Sequence, residues 1–254
     1  MNSQREVIAD PEIIAHRGGL WPRMSENTLE AFAAAADAGI EWMETDVHAS
    51  ADGILFAAHD ADLNRIAGLS HSIRDLPADE LDEVELLAGG RLPRLEALFE
   101  ALPEVHWNID VKAAHSIGPM IRFVHNFRAV DRIRLASFDS GTLRRLRTAL
   151  PGVRTSTGTT ETGLFALGRL PGVPDQGIAP LPPGVDALQV PVSFKRIPLV
   201  TADFVARAHR SGLVVHVWTI NDESTMRSLV DLGVDGIVTD DVQLGLEVVA
   251  GRHG

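Results

Sequence analysis

Short apolar runs alternate with amphipathic helical patterns along almost the whole chain of 254 residues. This alternation is typical of parallel β/α units, in which a helix follows each buried strand and covers the sheet. The length fits one large α/β barrel or two smaller domains, and we predict one domain over residues 1–254. The apolar runs predict nine strands: Ile13–His16, Trp42–Val47, Ile54–Ala58, Trp107–Val111, Arg132–Ala136, Val153–Thr157, Ala187–Val190, Val214–Trp218 and Gly236–Val238.

Nine strands are one too many for an eight-stranded barrel. Only six residues separate the second and third predicted strands, too few for a crossover helix. We therefore predict that Glu44–Ala58 is a strand that turns at 51–53 and runs back. Residues 61–91 show no clear periodicity and predict a small insertion after the third strand, and Gly158–Gly184 predicts a long loop near the pocket mouth. The predicted fold is a single, slightly irregular (β/α)8 TIM-type barrel.

Helix starts are indicated by side chains that can accept backbone N–H groups. Asn27, with Glu30 three residues later, predicts a capping box for the first helix. Asp139, Thr201 and Asn221 are predicted to cap three later helices.

The composition restricts the class of partner. Lys and Arg number 23 against 35 Asp and Glu, a net charge of −12, which argues against nucleic acid or an anionic membrane surface as the main partner. The chain has no cysteine, which excludes disulfides and thiolate metal sites. Met1–Glu12 is polar and no apolar run reaches membrane-spanning length, so we expect a cytoplasmic protein without stable membrane insertion. Monomer and homodimer both stay open.

Polar and charged residues follow the predicted strands where barrel enzymes carry their reactive groups, at the carboxyl ends. His16 and Arg17 end the first strand, and His59 ends the returning strand. Glu44 and Asp46 are two residues apart, so both project to the same face. Such charges are costly beside a buried core unless a ligand or metal compensates them.

Three carboxylates in this set predict a hard-metal site. Asp110 and Lys112 share a face at the end of the fourth predicted strand. Glu44, Asp46 and Asp110, with no sulfur ligand, suit Mg²⁺, Ca²⁺ or Mn²⁺. A metal there would bridge phosphate oxygens and stabilise the charge that develops in the transition state.

The remaining groups suit a phosphate ester. Arg17 offers a planar fork that matches phosphate, and Lys112 offers a point charge. Imidazole exchanges protons near neutral pH, so one of His16 and His59 can accept a proton while the other donates one to a leaving alkoxide. Together these residues predict cleavage of a phosphate ester by a metal enzyme.

Seven motifs, in order along the chain, carry a resemblance to a known family. They are HRGG at 16–19, SENTLEAF at 25–32, EWMETDVHASADG at 41–53, AAHDADLNR at 57–65, NIDVK at 108–112, VWTIN at 217–221 and GVDGIVTD at 233–240. The chain resembles the glycerophosphodiester phosphodiesterases, in the phosphatidylinositol-phospholipase-C-like superfamily.

The resemblance implies a metal-dependent barrel that cleaves glycerophosphodiesters, which are small molecules, to glycerol 3-phosphate and an alcohol. It implies metal ligation by Glu44 and Asp46, acid and base roles for His16 and His59, and phosphate contact by Arg17. In the family's mechanism the glycerol 2-hydroxyl attacks phosphorus, and water opens the resulting cyclic phosphate. The family match also favours Trp218, at a strand end, as a wall that faces the glycerol.

Two positions depart from the family pattern. The family carries Glu where this chain has Asp110, and Pro where it has Ser25. Because aspartate reaches roughly 1.5 Å less, one carbon–carbon bond, ligation through water and a shifted metal both stay open.

Two other functions stay open as well. The first is a related enzyme for another lipid-derived diester, of the lysophospholipase D type, against which the absence of an obvious membrane anchor argues. The second is a non-catalytic phosphate-binding barrel, against which the two histidines, Arg17 and the Glu44-x-Asp46 pair argue. His48 and Asp240 keep two interpretations each: His48 faces the pocket or solvent, and Asp240 holds the closing loop or a ligand. Glu26 keeps three, since it could cap a helix, orient a catalytic histidine or meet the metal shell.

Overall fold

The computed structural model describes residues 10–167 and 181–251. Within these ranges the strands are β1 (Glu12–His16), β2 (Trp42–Ala49), β3 (Leu55–Ala57), β4 (His106–Val111), β5 (Ile133–Ala136), β6 (Arg154–Ser156), β7 (Val185–Val190), β8 (Ser193–Phe194), β9 (Ile197–Pro198), β10 (Val214–Val217) and β11 (Gly236–Thr239). The α-helices are α1 (Leu29–Asp37), α2 (Asn64–Ala67), α3 (Ala78–Leu81), α4 (Leu95–Ala101), α5 (Ile117–Phe127), α6 (Ser140–Ala149), α7 (Thr159–Leu167), α8 (Ala202–Arg210), α9 (Glu223–Leu232) and α10 (Val242–Ala250).

Eight parallel strands of the described chain close into a barrel with helices between them. The order around it is β1, β2, β4, β5, β6, β7, β10 and β11, and β1 pairs with both β2 and β11. β3 runs antiparallel to β2, with Ala49 opposite Leu55. The prediction of an irregular (β/α)8 barrel with a returning strand is therefore confirmed, and all nine predicted strands are present with ends shifted by one or two residues.

The insertion after β3 is also confirmed, and it has its own small core. Phe56, Leu63, Ile73 and Leu81 are fully buried together there. The insertion holds α2, a 3-10 turn at Ile73–Asp75 and α3. These elements are three or four residues long, too short to leave a helical period in the sequence.

The prediction of a loop over Gly158–Gly184 is wrong for the first part of that range. Thr159–Leu167 forms α7, and residues 168–180 lie outside the described ranges. The β8–β9 hairpin was not predicted, because strands of two residues leave no alternation to detect.

Two of the four predicted helix caps are confirmed. The Asp139 side chain accepts hydrogen bonds from the backbone N–H groups of Gly141 and Thr142 at the start of α6. The Thr201 side chain accepts one from the backbone N–H group of Phe204 at the start of α8. Both side chains satisfy amides that have no partner within the helix.

The caps predicted at Asn27 and Asn221 are wrong by one residue. Thr28 caps α1 and Asp222 caps α9. Asn27 has φ +57° and accepts a hydrogen bond from the buried hydroxyl of Thr45 instead. Asn221 is used at the carboxyl end of the barrel, described below.

The barrel core packs around Trp107 on β4. Its ring is fully buried, with the Phe32 ring edge-on at 4.9 Å and the Phe99 ring stacked at 5.5 Å between centroids.

Trp107→Ala should lower the free energy of unfolding by about 3–5 kcal/mol, because it opens a cavity that the neighbours fill only in part. Denaturant titration measures this loss. Leu87→Ala, at an exposed position, serves as the control and should change it by about 0.5 kcal/mol or less. A loss in Trp107→Ala no larger than in Leu87→Ala would contradict this packing.

In residues 10–167 and 181–251, no helix has the length and apolar character needed to cross a membrane. The domain over residues 1–254, the cytoplasmic location and the choice between monomer and homodimer stay predictions.

Candidate active site

Strand register places the predicted site residues side by side at the carboxyl end of the barrel. His16 on β1 pairs with Glu44 on β2, and Asp46 on β2 pairs with Asp110 on β4. Glu44 and Asp46 are two residues apart on one strand and so share its inner face. The sequence therefore brings four chemical groups together through backbone pairing alone.

One pocket of about 540 Å³ contains every predicted site residue: His16, Arg17, Glu44, Asp46, His59, Asp110, Lys112 and Trp218. The sequence did not single out several other residues of its lining. Asn108 and Gln189 are among them, and the Gln189 amide donates to Asn108 Oδ1 at 2.8 Å. Asn108 lies in the NIDVK motif, which was the available signal for it.

Two cations lie among the carboxylates. Lys112 Nζ is 2.7 Å from both Asp46 Oδ1 and Asp110 Oδ2. Arg17 Nε is 3.0 Å from Asp46 Oδ2, an ion pair without hydrogen-bond alignment. Burial by itself would lower the pKa of Lys112, but Asp110 and Asp46 raise it above its ordinary value. Lys112 therefore stays charged at neutral pH.

The carboxylates retain acceptor atoms that suit a hard cation. Glu44 Oε2 and Asp110 Oδ1 are buried without a hydrogen-bond partner. Burial, followed by the charges of Asp46 and Asp110, raises the pKa of Glu44 well above its ordinary value, and burial raises that of Asp110. Carboxylate oxygens are the ligands that Mg²⁺, Ca²⁺ and Mn²⁺ take, and a bound cation would favour the ionised form of both groups. The donor set thus fits a divalent metal, although no three His, Asp or Glu side chains of the described chain already converge as a finished metal site.

Each histidine of the pocket has its Nδ1 atom held by a carboxylate. His16 Nδ1 is 2.6 Å from Asp240 Oδ1, and His59 Nδ1 is 2.8 Å from Asp60 Oδ1. Because a carboxylate only accepts, Nδ1 is the donor in both pairs. We assign the proton to Nδ1 on this basis, which leaves Nε2 of each ring to exchange protons with a substrate.

Asp240 itself is fixed by Asn221. The Asn221 amide donates to Asp240 Oδ2 at 2.7 Å, and the Asp240 N–H donates to Asn221 Oδ1 at 2.9 Å. Burial by itself would raise the pKa of Asp240, but the hydrogen bonds from His16 and Asn221 lower it. Asp240 thus orients His16 as well as tying down its own loop, a role the sequence reasoning missed although GVDGIVTD contains the residue.

Asp240→Asn should lower kcat about 10–100-fold with little change in KM, the loss typical when the partner that orients a reactive histidine is removed. The asparagine can present a donor to Nδ1 and so favour the wrong tautomer of His16. Steady-state kinetics on purified protein measures the effect. Asp241→Asn, next along the chain at an exposed helix cap, is the control. An equal fall in both variants, or a rise confined to KM, would contradict the orienting role.

Asp60 is joined to Arg17 by a chain of ion pairs. Arg65 Nε is 2.5 Å from Asp60 Oδ2, and Arg65 Nη2 is 2.6 Å from Glu26 Oε1. Arg17 Nη1 donates to the same Glu26 oxygen at 3.1 Å. Arg65 belongs to the insertion, so the insertion helps to position both the carboxylate that holds His59 and, through Glu26, Arg17. Glu26 neither caps α1 nor makes a direct hydrogen bond to a histidine; it orients Arg17.

His48 is buried and does not line the pocket, so neither interpretation from the sequence holds. Its side chain is buried, and Nε2 is 3.2 Å from the backbone oxygen of His59. Burial lowers the pKa of His48, which keeps the ring uncharged at neutral pH. It supports the segment that carries His59.

Comparison with known proteins accounts for this arrangement. The model of the glycerophosphoryl diester phosphodiesterase family matches residues 16–244. The chain belongs to this family. A Mycobacterium tuberculosis protein named probable glycerophosphodiester phosphodiesterase 2 is 34% identical over 240 residues, which cover 94% of this chain and 90% of that protein. The chain is accordingly an enzyme, a phosphoric diester hydrolase, and the non-catalytic alternative is set aside.

Solved structures show the same barrel. A glycerophosphoryl diester phosphodiesterase domain from Mycobacterium tuberculosis has a TM-score of 0.81 at 18% identity and covers 96% of this chain and 100% of that one. A phosphodiesterase from Oleispira antarctica, solved in complex with the product sn-glycerol-3-phosphate, has a TM-score of 0.75 at 23% identity and covers 95% of this chain and 97% of that one. At these identities the likeness establishes the fold.

Proposed function

We propose that this chain hydrolyses glycerophosphodiesters to sn-glycerol 3-phosphate and an alcohol, with one divalent metal ion and with His16 and His59 as acid and base. The observation that carries the proposal is the pairing of two carboxylate-held histidines with a carboxylate and cation cluster in one pocket. The name of the Mycobacterium tuberculosis relative and the product bound by the Oleispira antarctica enzyme support this substrate class.

Glu44, Asp46 and Asp110 would hold the metal, Mg²⁺, Ca²⁺ or Mn²⁺. When bound, such an ion supplies Lewis-acid polarisation of the phosphoryl oxygens and stabilises charge in the transition state. The buried oxygens of Glu44 and Asp110 that accept no hydrogen bond support this assignment.

Arg17 and Lys112 bind the non-bridging phosphate oxygens in this scheme. Both lie within 3.0 Å of Asp46, so their charges are already directed into the pocket. The guanidinium fork fixes the orientation of the phosphate and the ammonium adds a point charge, and together they favour in-line attack. Trp218 forms the wall against which the glycerol carbons pack.

The two histidines then move protons in opposite directions. One neutral imidazole Nε2 takes the proton of the glycerol 2-hydroxyl as its oxygen forms a bond to phosphorus. The other, protonated, gives its proton to the alcohol oxygen as that P–O bond breaks. In the second step the roles reverse: water loses a proton, attacks phosphorus and opens the cyclic phosphate, and the 2-oxygen regains a proton. Each histidine returns to its starting state after the two steps.

The proposed mechanism requires the glycerol 2-hydroxyl, so a substrate without this hydroxyl tests it. Release of choline from glycerophosphocholine, which leaves glycerol 3-phosphate, is compared with release of choline from 1,3-propanediol phosphocholine, which lacks that hydroxyl. We expect turnover of the first and less than about one hundredth of that rate for the second. Equal rates would replace the cyclic intermediate by direct attack of water. Absence of turnover with glycerophosphocholine and glycerophosphoethanolamine would overturn the function.

A further inference from the structure

Two amide side chains of the pocket have no part in the proton transfers proposed above. Asn108 on β4 is only 4% exposed, and the Gln189 amide on β7 donates to its Oδ1 at 2.8 Å. Both side chains line the pocket that holds the reactive histidines. Buried amides are costly unless each polar group finds a partner, so an amide pair in the lining of a pocket points to a ligand that completes it.

The amide pair presents one kind of donor and one acceptor to the pocket. The hydrogen bond uses Asn108 Oδ1 and one N–H of Gln189, which leaves the Asn108 N–H groups as donors and Gln189 Oε1 as an acceptor. Exchanging the oxygen and the nitrogen of both amides leaves a donor and an acceptor as well. A hydroxyl group both donates and accepts, and it therefore satisfies both amides at once. An ionised phosphate oxygen only accepts, and a quaternary ammonium does neither.

The amide pair lies deeper in the barrel than the phosphate-binding groups. Asn108 is two residues before Asp110 on the same inner face of β4, about 7 Å further along the strand from its carboxyl end. Gln189 pairs in register with His216, which is two residues before Trp218, the proposed glycerol wall. In a glycerophosphodiester the terminal hydroxyl oxygen is five bonds from phosphorus, an extended span of about 6 Å at roughly 1.5 Å per bond. A glycerol whose phosphate lies at the level of Asp110 therefore reaches the amide pair with its terminal hydroxyl.

The order of the two chemical steps places the glycerol on this inner side. The alcohol departs in the first step, while the cyclic phosphate stays bound until water opens it. The alcohol side of the phosphate therefore faces the opening of the pocket, where Phe138 is 61% exposed and Phe194 is 62% exposed. Because the attacking and leaving oxygens lie roughly in line across phosphorus, the glycerol lies on the opposite side, toward Asn108 and Gln189.

We propose that Asn108 and Gln189 bind the terminal hydroxyl of the glycerol and thereby select diesters in which this hydroxyl is free. The inference rests on the proposed function, because the bound hydroxyl belongs to the substrate of that reaction. Neither amide takes or gives up a proton during the reaction, so both are specificity-determining residues. The contact also fixes the glycerol chain, which holds the 2-hydroxyl in place for attack on phosphorus.

Removal of the terminal hydroxyl from the substrate tests the inference. Choline release from glycerophosphocholine is compared with choline release from 2-hydroxypropyl phosphocholine, which keeps the 2-hydroxyl and lacks the terminal one. We expect kcat/KM to be at least about tenfold higher for glycerophosphocholine, because the analogue leaves both amides without their partner. The product should show the same preference: sn-glycerol 3-phosphate should inhibit at least about fivefold more strongly than 2-hydroxypropyl phosphate.

Variants locate this preference on the amide pair. Asn108→Leu and Gln189→Met keep the approximate size of each side chain and remove its amide. Each should lower the ratio of kcat/KM for glycerophosphocholine to that for the analogue by at least about fivefold. The value of kcat/KM for the analogue itself should stay within a few fold of that of the unchanged protein, which shows that the pocket is intact. Thr159→Val, which removes an exposed hydroxyl from the lining of the same pocket, is the control and should leave the ratio unchanged.

The outcomes separate the inference from the function on which it rests. Equal kcat/KM values for the two substrates in the unchanged protein overturn the inference and leave the proposed function standing. A preference that survives in both variants also overturns it, since other groups then bind the hydroxyl. An equal fall for both substrates in the variants overturns it in favour of a structural role for the amide pair. If neither substrate is cleaved by the unchanged protein, the proposed function fails and the inference with it.

Discussion

His16→Ala and His59→Ala should each lower kcat by about 10²–10⁴-fold, the usual contribution of a positioned acid or base. Each ring has Nδ1 tied to a carboxylate, so Nε2 is the atom that handles the substrate proton. Loss of either ring leaves one proton transfer in each step without a carrier. Coupled detection of glycerol 3-phosphate measures kcat and KM.

The control for this pair is His125→Ala, which removes an exposed histidine on α5 outside the pocket and should leave kcat unchanged. Metal affinity in the two active-site variants should stay within a few fold of that of the unchanged protein. Normal turnover in His16→Ala or His59→Ala would remove that residue from the chemistry. A fall in metal affinity that matches the fall in kcat would instead indicate that the replaced histidine binds the metal.

Glu44→Gln should weaken divalent metal binding at least tenfold and at the same time stabilise the metal-free protein. The carboxylate is buried beside Asp46 and Asp110, and its Oε2 accepts no hydrogen bond, with His16 Nε2 3.8 Å away. Replacing it by a neutral amide removes the cost of burying a charge and the repulsion from Asp46 and Asp110. The metal-free Tm should therefore rise by about 2–4 °C, the shift that about 1 kcal/mol gives in a chain of this size. Calorimetric titration and thermal melts measure the two effects.

The pH dependence of the metal-free protein provides a second measurement. Because the pKa of Glu44 is higher in the folded chain than in the unfolded chain, the folded state binds more protons between those two values. The metal-free protein should therefore lose stability as pH rises through that window, and the Tm gain from added metal should be larger at pH 8 than at pH 5.5. An unchanged metal titration curve and an unchanged metal-free Tm in Glu44→Gln would exclude Glu44 from the site.

Much of the barrel follows from the sequence because its strands are buried on both faces. Such strands read as short apolar runs, and the six-residue spacing within 42–58 was sufficient to predict the return of β3. The caps at Asn27 and Asn221 were misplaced because the same side chains meet tertiary partners. Asn27 accepts from Thr45, and Asn221 holds Asp240, and neither contact leaves a local pattern.

The site residues also divide into those that a local sequence pattern predicts and those that depend on tertiary contacts. Residues at strand ends, such as His16 and Asp110, converge because parallel register brings those ends together. The groups that orient them depend on long-range contacts: Asp240 lies 224 positions from His16. Phe194 lines the pocket from the two-residue strand β8, which leaves no alternation in the sequence. Contacts of this kind need coordinates.

The most direct test of the account is the release of glycerol 3-phosphate from glycerophosphocholine by protein treated with EDTA, before and after Mg²⁺, Ca²⁺ or Mn²⁺ is restored. We expect EDTA to abolish release and at least one of these ions to restore it, with Asp110 sufficient as the third carboxylate. Full release in EDTA would contradict a metal held by Glu44, Asp46 and Asp110. No release with any of the ions would contradict the assigned reaction.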